Sequence, residues 1–445
     1  MVAMAAVCLL FVQRKTFKKD LVVIILIGAF ALAIVAAFYP PSLFKAISVP
    51  SKSHFEPGWT IGSLTAIAIV ILGWTILWHF LRRITSDWKL QFFALFALLT
   101  CSVPIIAAYF HRQFLPQPGR YKLEMEVALA LLIAFGVRSA LARLSTGPRR
   151  AVIVLLLVFA AGQTINVRRQ AKGMLVPADA TRTVEYRAAT WAGQNLPGVR
   201  VMMPGSIAQW ATTFSTVPQF SGGSWSMAYS QIQQTGVNSV YAGTAREALA
   251  WLKAFGVGAV GISSPDSQEY WKGFSQPAKF DGLLPVLWRD SGVTIYKIPQ
   301  RTLSLAHVVP ESALVVHAPA DRADIAEIEH YAAALDDASL PTPEFRWEGT
   351  NRIRIRATAA PGQVISVQVS YHPGWHARAG GQDRTLNRDG LGLMWLRPGC
   401  AGPCEVELDY DGGAELRICR WISYAAIAAL ILVFPLRRVF RGSIR

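Results

Sequence analysis

Residues 60–110 read TIGSLTAIAIVILGWTILWHFLRRITSDWKLQFFALFALLTCSVPIIAAYF. Two apolar runs, Thr60–Leu81 and Leu90–Phe110, flank a polar break that holds Arg82, Arg83, Asp87 and Lys89. A helix rises about 1.5 Å per residue, so roughly 20 apolar residues cross the hydrocarbon of a bilayer, with about 17 to 25 tolerated. Each run is that long, and the stretch reads as a helical membrane hairpin. Outward from it lie further apolar runs at Met1–Val12, Leu21–Phe38, Val127–Leu144 and Ala151–Ile165, and a last one at Trp421–Leu436. The chain therefore reads as an α-helical membrane bundle of about six to seven spans. The runs at 151–165 and 421–436 are short and borrow flanking residues. Met1–Val12 is shorter than a span and lacks the basic leader of a signal peptide, so the first helix is expected to be truncated, the chain beginning inside a longer one.

Charge gives these spans a direction. Arg14, Lys15, Lys18 and Lys19 precede the second run, Arg82, Arg83 and Lys89 sit in the hairpin break, and Arg149 and Arg150 precede the run at 151–165. With Arg437, Arg438, Arg441 and Arg445 at the end of the chain, all fall on one side of a single topology. Basic loops stay cytoplasmic. Residues 39–59, 111–126 and 166–420 are then expected on the outer face of a cell (inner) membrane, with a cytoplasmic C-terminus. Composition agrees: the chain is 52% hydrophobic and 16% charged, with a net charge of +16. Residues 1–165 hold 16 Lys/Arg against 5 Asp/Glu and the last 25 residues hold 4 against none, which leaves 24 against 23 for 166–420. The excess belongs to the membrane segments. A nucleic-acid binder needs a basic face on its folded domain, so nucleic acid is excluded as a partner.

The soluble part divides by period. Within 166–310, helical spacing at Glu185–Asn195 and Ala245–Phe255 alternates with apolar strands at Arg200–Met203 and Val257–Ile262, and Asp290-Ser291-Gly292 turns a hairpin between Leu284–Trp288 and Val293–Ile298. This is the pattern of a small layered α/β subdomain. From 311 to 420 the alternation has period two, as in Arg352–Arg356, and short strands at Val364–Tyr371, Trp375–Arg378, Gly392–Leu396 and Cys404–Tyr410 predict a β-sandwich. Segment 319–344 reads as a short helix and linker. Residues 421–445 make the final helix and basic tail.

Chemical signatures are few. No P-loop, His-Glu-x-x-His or Gly-x-Ser-x-Gly occurs, and no cofactor or metal is expected. His372 and His376 are four apart, but Pro373-Gly374 forces a turn between them and removes the helical spacing a metal pair needs. Cys400 and Cys404 flank Ala401-Gly402-Pro403 in the oxidising compartment, where a local disulfide and two free thiols are both open. Outside the spans, His111–Glu126 gathers Arg112, Arg120 and Tyr121 at headgroup depth. These residues suit either ordinary anchoring or a lipid phosphate, to which arginine offers paired hydrogen bonds. Residues 218–226, PQFSGGSWS, form a polar, Gly-containing loop that reads either as a sugar-facing surface with Trp225 as the contact or as a long structural turn.

The stretch Tyr371-His372-Pro373-Gly374-Trp375-His376-Ala377 resembles the Tyr-x-Pro-Gly-Trp-x-Ala element of the YfhO-like family of bacterial polytopic membrane proteins. The order after it is similar too, with strands closing on Tyr410 to Gly413 and then a final membrane helix. The family looks like a relative of GT-C glycosyltransferases, which use polyprenyl-phosphate sugars on the outer membrane face. The resemblance implies that this chain is the C-terminal portion of such a protein, handling lipid-linked sugars, with Arg112 and Arg120 on the donor phosphate. GT-C enzymes carry an essential acid in an outer loop; here only Glu56, Glu124 and Glu126 stand in outer loops of the membrane region, and Glu56 is the catalytic candidate. Trp375 either plugs the sandwich core or stacks on a sugar ring. The alternative is a non-enzymatic membrane protein whose outer domain binds a protein partner or cell-envelope polymer.

Overall fold

The computed structural model describes residues 6–8, 12, 17–43, 61–110, 118–174, 179–221, 230–400 and 402–442. It divides into two compact units, 1–177 with 422–445, and 178–421.

The first unit is helical: α1 (Phe17–Val35), α2 (Ile61–Ile84), α3 (Trp88–Phe110), α4 (Lys122–Leu141) and α5 (Thr146–Met174). Three stretches are long and apolar enough to cross a membrane, Leu64–Ile84, Trp88–Phe110 and Thr146–Gly173, and Leu21–Val35 is a shorter apolar helix. The basic pair Arg82 and Arg83 closes α2 in its last turn, so the polar break seen in sequence is the tight connection between α2 and α3. Trp74, Trp78, Leu81, Leu95 and Ala97 pack there into a shared core with Ala128 of α4. By contrast α5 buries none of its apolar window; Leu155, Leu157 and Phe159 are 64 to 68% exposed. An apolar surface of this extent is unstable in water and is matched by hydrocarbon. The helix also runs to Met174, past the border at 165 expected from hydropathy. Gln163 to Lys172 are polar enough to end an apolar run yet are mostly adequate helix formers, so the helix outlasts its hydrophobicity.

The second unit begins with α6 (Val184–Asn195), β1 (Val201–Met202), α7 (Gly205–Phe214), α8 (Gln231–Ala242), α9 (Ala245–Ala254) and β2 (Ala259–Ser263), then β3 (Val286–Asp290) and β4 (Val293–Lys297). The sheet order is β1-β2-β4-β3, with β1 parallel to β2 and the rest antiparallel. Alternation puts Val201, Ala259 and Ile295 against α6 and α7, and Met202, Val260 and Tyr296 against α8 and α9. Helices cover both faces, making three layers. Local chemistry explains the borders. Thr244 and Glu247 form a reciprocal capping box at the start of α9. The β3–β4 turn places Ser291 and Gly292 at φ 48° and 76°, a left-handed pair that fits the twist of a two-residue hairpin.

The remainder is β5 (Ala306–Pro310), α10 (Ala326–Asp336), β6 (Glu344–Trp347), β7 (Arg352–Ala359), β8 (Gln363–Ser370), β9 (Trp375–Ala379), β10 (Gln382–Arg384), β11 (Leu386–Arg388), β12 (Leu393–Leu396), β13 (Gly402–Tyr410) and α11 (Gly413–Gly442). Two antiparallel sheets, β10-β9-β13-β7-β6 and β11-β12-β8-β5, face each other across one core of Val308, Ile353, Ile355, Ile365, Val367, Met394, Val406 and Leu408. The four-stranded sheet is buried on its other face as well. Val309, Val364 and Leu393 join the α8–α9–α10 core there.

One core thus runs across the subdomain border expected at 310, and β5, placed by sequence with the α/β part, pairs with β8 in the sandwich. Segment 319–344 holds α10, whose Ile328 and Tyr331 are fully buried, so it is core and not linker. Several polar groups on that doubly buried face are paired, although His307 Nδ1 is buried with no hydrogen-bond partner. Tyr331 and Ser366 share a hydrogen bond of 2.7 Å, His307 meets Gln368 at 3.1 Å, and Gln368 donates to the Lys253 and Ala254 carbonyls at the end of α9. The partly buried Arg200 donates to the Phe255 and Gln368 carbonyls at 2.7 and 2.8 Å, and desolvation pushes the guanidinium pKa down to about 10.

Candidate functional site

The motif at 371–377 is a turn followed by the start of β9. Gly374 donates its N–H to His372 Nδ1 at 3.0 Å, and Trp375 donates to the His372 carbonyl at 3.0 Å. The turn is packed backbone to backbone against the end of β13: Asp411 donates to the Gly374 carbonyl at 3.0 Å, and a Cβ on Gly374 would lie 2.5 Å from the Gly413 nitrogen. Asp411 in turn accepts from the Gly413 N–H at 2.7 Å; that bond, with His376 at 3.4 Å, holds its carboxyl below the usual range. The two stretches 371–377 and 410–413 are therefore one structural element.

Trp375 occupies the end of the sandwich. Its ring lies 5.1 Å from Tyr410 and 6.2 Å from Trp347, and Tyr410 also meets the His372 ring at 5.4 Å. One side of Trp375 packs on the sandwich core. The rest is open and lines a groove of about 500 Å³ with His376, Arg378, Asp383, Arg384, Leu386 and Asp409. Both readings of Trp375 are thus geometrically available to one side chain, since an aromatic ring offers two faces.

The outward face of the five-stranded sheet is charged and internally paired. Arg352, Arg354 and Arg356 on β7 stand opposite Asp409, Glu407 and Glu405 on β13. Arg352 reaches Asp409 at 2.6 Å, Arg354 reaches Glu348, Glu405 and Glu407 at 3.1 to 3.2 Å, and Arg378 reaches Asp383 at 2.9 Å. Exposed pairs of this kind contribute little stability each. They do cancel charge across the face.

Of the residues singled out by sequence, Arg120 and Tyr121 end a 3-10 turn, Pro118–Tyr121, at the start of α4; Arg120 is exposed and Tyr121 half-buried. Glu56, Arg112 and Trp225 lie outside the described residues. Cys400 and Cys404 are joined in a disulfide. Among the described residues there is no group of three or more His, Cys, Asp or Glu arranged for a metal ion.

Sequence reasoning missed Arg384, on the short edge strand β10, and Glu269. Glu269 is fully buried and accepts from the Ser206 N–H and hydroxyl at the N-terminus of α7 and from the Trp271 N–H. Glu269 comes 63 residues after Ser206, so no local capping pattern reveals the pair. Comparison with protein-family models, with curated proteins and with solved structures finds no match.

Proposed function

We propose that the chain is a multi-pass protein of a bacterial inner membrane whose unit 178–421 lies on the outer face and binds a sugar-bearing envelope ligand, a lipid-linked sugar or a cell-envelope polymer, in the Trp375 groove. The observation that carries this reading is the groove itself. An indole held at one edge by Tyr410 and Trp347 offers its free face to the apolar side of a sugar ring, and Arg378, Asp383, Arg384 and Asp409 around it supply hydrogen bonds to hydroxyls. The topology follows from basic residues on alternate connections, Arg82 and Arg83 after α2, then Arg138, Arg143, Arg149 and Arg150 around the α4–α5 connection. On this reading the chain has six to seven spans and a cytoplasmic C-terminus.

Two experiments test it. A cysteine introduced at Asp321, an exposed position, is expected to react with a membrane-impermeant maleimide in intact cells; labelling only after lysis would remove the outer placement. For the ligand, the full chain in nanodiscs is expected to bind glycans on an envelope-polysaccharide array. Trp375→Ala should weaken that binding by about tenfold or more, the scale of one lost aromatic stacking contact. Equal binding by parent and variant would sink the groove.

A second reading keeps the resemblance to the YfhO-like family and its GT-C relatives: the chain is the C-terminal portion of a transferase using a polyprenyl-phosphate sugar donor. Arg120, exposed in the 3-10 turn that leads into α4, favours it, being free to meet a lipid phosphate at headgroup depth. The two readings share the ligand class and differ in whether a bond is broken.

A further inference from the structure

We infer that the Trp375 groove selects acidic sugars, with Arg384 taking the anionic group of the ring that stacks on Trp375. The inference rests on the groove reading above and adds to it the charge of the ligand.

The argument begins with the charge pairing in the groove. Arg378 is matched by Asp383 at 2.9 Å, Asp409 by Arg352 at 2.6 Å, and His376 faces Asp411 at 3.4 Å. Arg384 stands apart. Among the described residues no carboxylate lies within ion-pair distance of it; its terminal nitrogen reaches only the Gln382 side-chain oxygen at 3.1 Å and the Gly399 carbonyl at 3.5 Å. Its Nε is buried with no hydrogen-bond partner. A desolvated N–H of a cation left unmatched is costly, and an incoming anion removes that cost. Guanidinium is the side chain best shaped for the task, because its planar fork meets a carboxylate or phosphate with two parallel hydrogen bonds.

Position supports the same assignment. Arg384 stands opposite Ala377 in the β9–β10 register. Trp375, two residues earlier on β9, is on the same side of the strand and diagonal to Arg384, a spacing of roughly 7 to 8 Å between Cα atoms. That is about the width of a pyranose carrying an acid at its exocyclic carbon, with the ring on the indole and the acid on the guanidinium.

Arg384 also has a defined seat. Its guanidinium lies over Gly399, where a Cβ would come within 2.9 Å of the guanidinium carbon, so the glycine gives it room. The Cys400–Cys404 disulfide crosslinks the chain immediately beyond.

The test uses the full chain in nanodiscs and an array of uronic-acid oligosaccharides, each present as the free acid and as its uncharged methyl ester, with phosphorylated oligosaccharides as a third set. The parent is expected to prefer an anionic set over the ester by about 10- to 100-fold, the scale of a charge-assisted pair; whichever of the two anionic sets is preferred identifies carboxylate or phosphate as the group. Arg384→Gln should lose that preference, the acid losing far more affinity than the ester, and Arg384→Lys should retain part of it. If the parent binds acid and ester alike, or if Arg384→Gln keeps the preference or weakens both forms equally, the inference falls while the groove reading stands. If the parent binds none of these glycans and none on the wider envelope array, both fall.

Discussion

Gly374→Ala is expected to destabilise the unit 178–421 by about 3 kcal/mol, the upper part of the range for forcing an extra carbon into packed structure. The new Cβ meets the Gly413 nitrogen at 2.5 Å and the Gly412 carbonyl carbon at 2.8 Å. Backbone on both sides of a contact cannot swing away as a side-chain tip does, and here one side is anchored by the Asp411–Gly374 hydrogen bond of 3.0 Å. For a unit of this size the loss corresponds to a melting temperature lower by roughly 10 °C, read from tryptophan fluorescence of the full chain on heating. Gly362→Ala is the control. Gly362 has φ of +84° but open space around its Cα, so only the left-handed backbone penalty of about 1 kcal/mol applies. If Gly374→Ala melts no lower than Gly362→Ala, the packing of the 371–377 turn on 411–413 does not hold the fold as described.

The pH dependence of stability should reveal two buried groups that oppose each other. Burial pushes the Asp389 carboxyl up to about 7, against the pull of backbone N–H groups led by Leu393. In the unfolded chain it titrates near about 4. Between those values the folded state holds a proton that the unfolded state has released, so stability falls as pH rises, by on the order of 4 kcal/mol across the window. Burial pushes the His307 imidazole down to about 4 despite its hydrogen bond to Gln368, while the unfolded value is about 6.5. Here the folded state holds fewer protons, and stability falls as pH drops from about 6.5 to 4, by on the order of 3 kcal/mol.

The two slopes overlap and nearly cancel in the parent. Asp389→Asn retains an oxygen for the Leu393 N–H, which the carboxylate now accepts at 2.7 Å, and removes the burial of charge. The variant is expected to melt roughly 10 °C higher at pH 8 and to show stability rising with pH from about 4 to 6.5. His307→Gln should show the reverse slope, falling from about pH 4 to 7. Parallel profiles for the parent and Asp389→Asn would show that Asp389 does not titrate in that window.

Much of this protein was legible from local chemistry. Apolar length marked α2, α3 and α5, and each holds a stretch long and apolar enough to cross a membrane, because a bilayer imposes one length on any segment that crosses it. The alternation of 352–356 is realised with Ile353 and Ile355 fully buried and the arginines outward, because strand geometry sends neighbouring side chains to opposite faces. The hairpin at Ser291-Gly292 followed from backbone preference alone.

Tertiary structure decided the rest. The pairing of β5 with β8 across more than 50 residues, the docking of the 371–377 turn on Gly412 and Gly413, and the matching of every groove charge except Arg384 depend on which distant segments meet. Periodicity reports the environment on each side of a single segment. It carries no information about which partner supplies that environment, and so the fold's layers were readable while the core shared across the 310 border and the groove cation left without a carboxylate among the described residues were not.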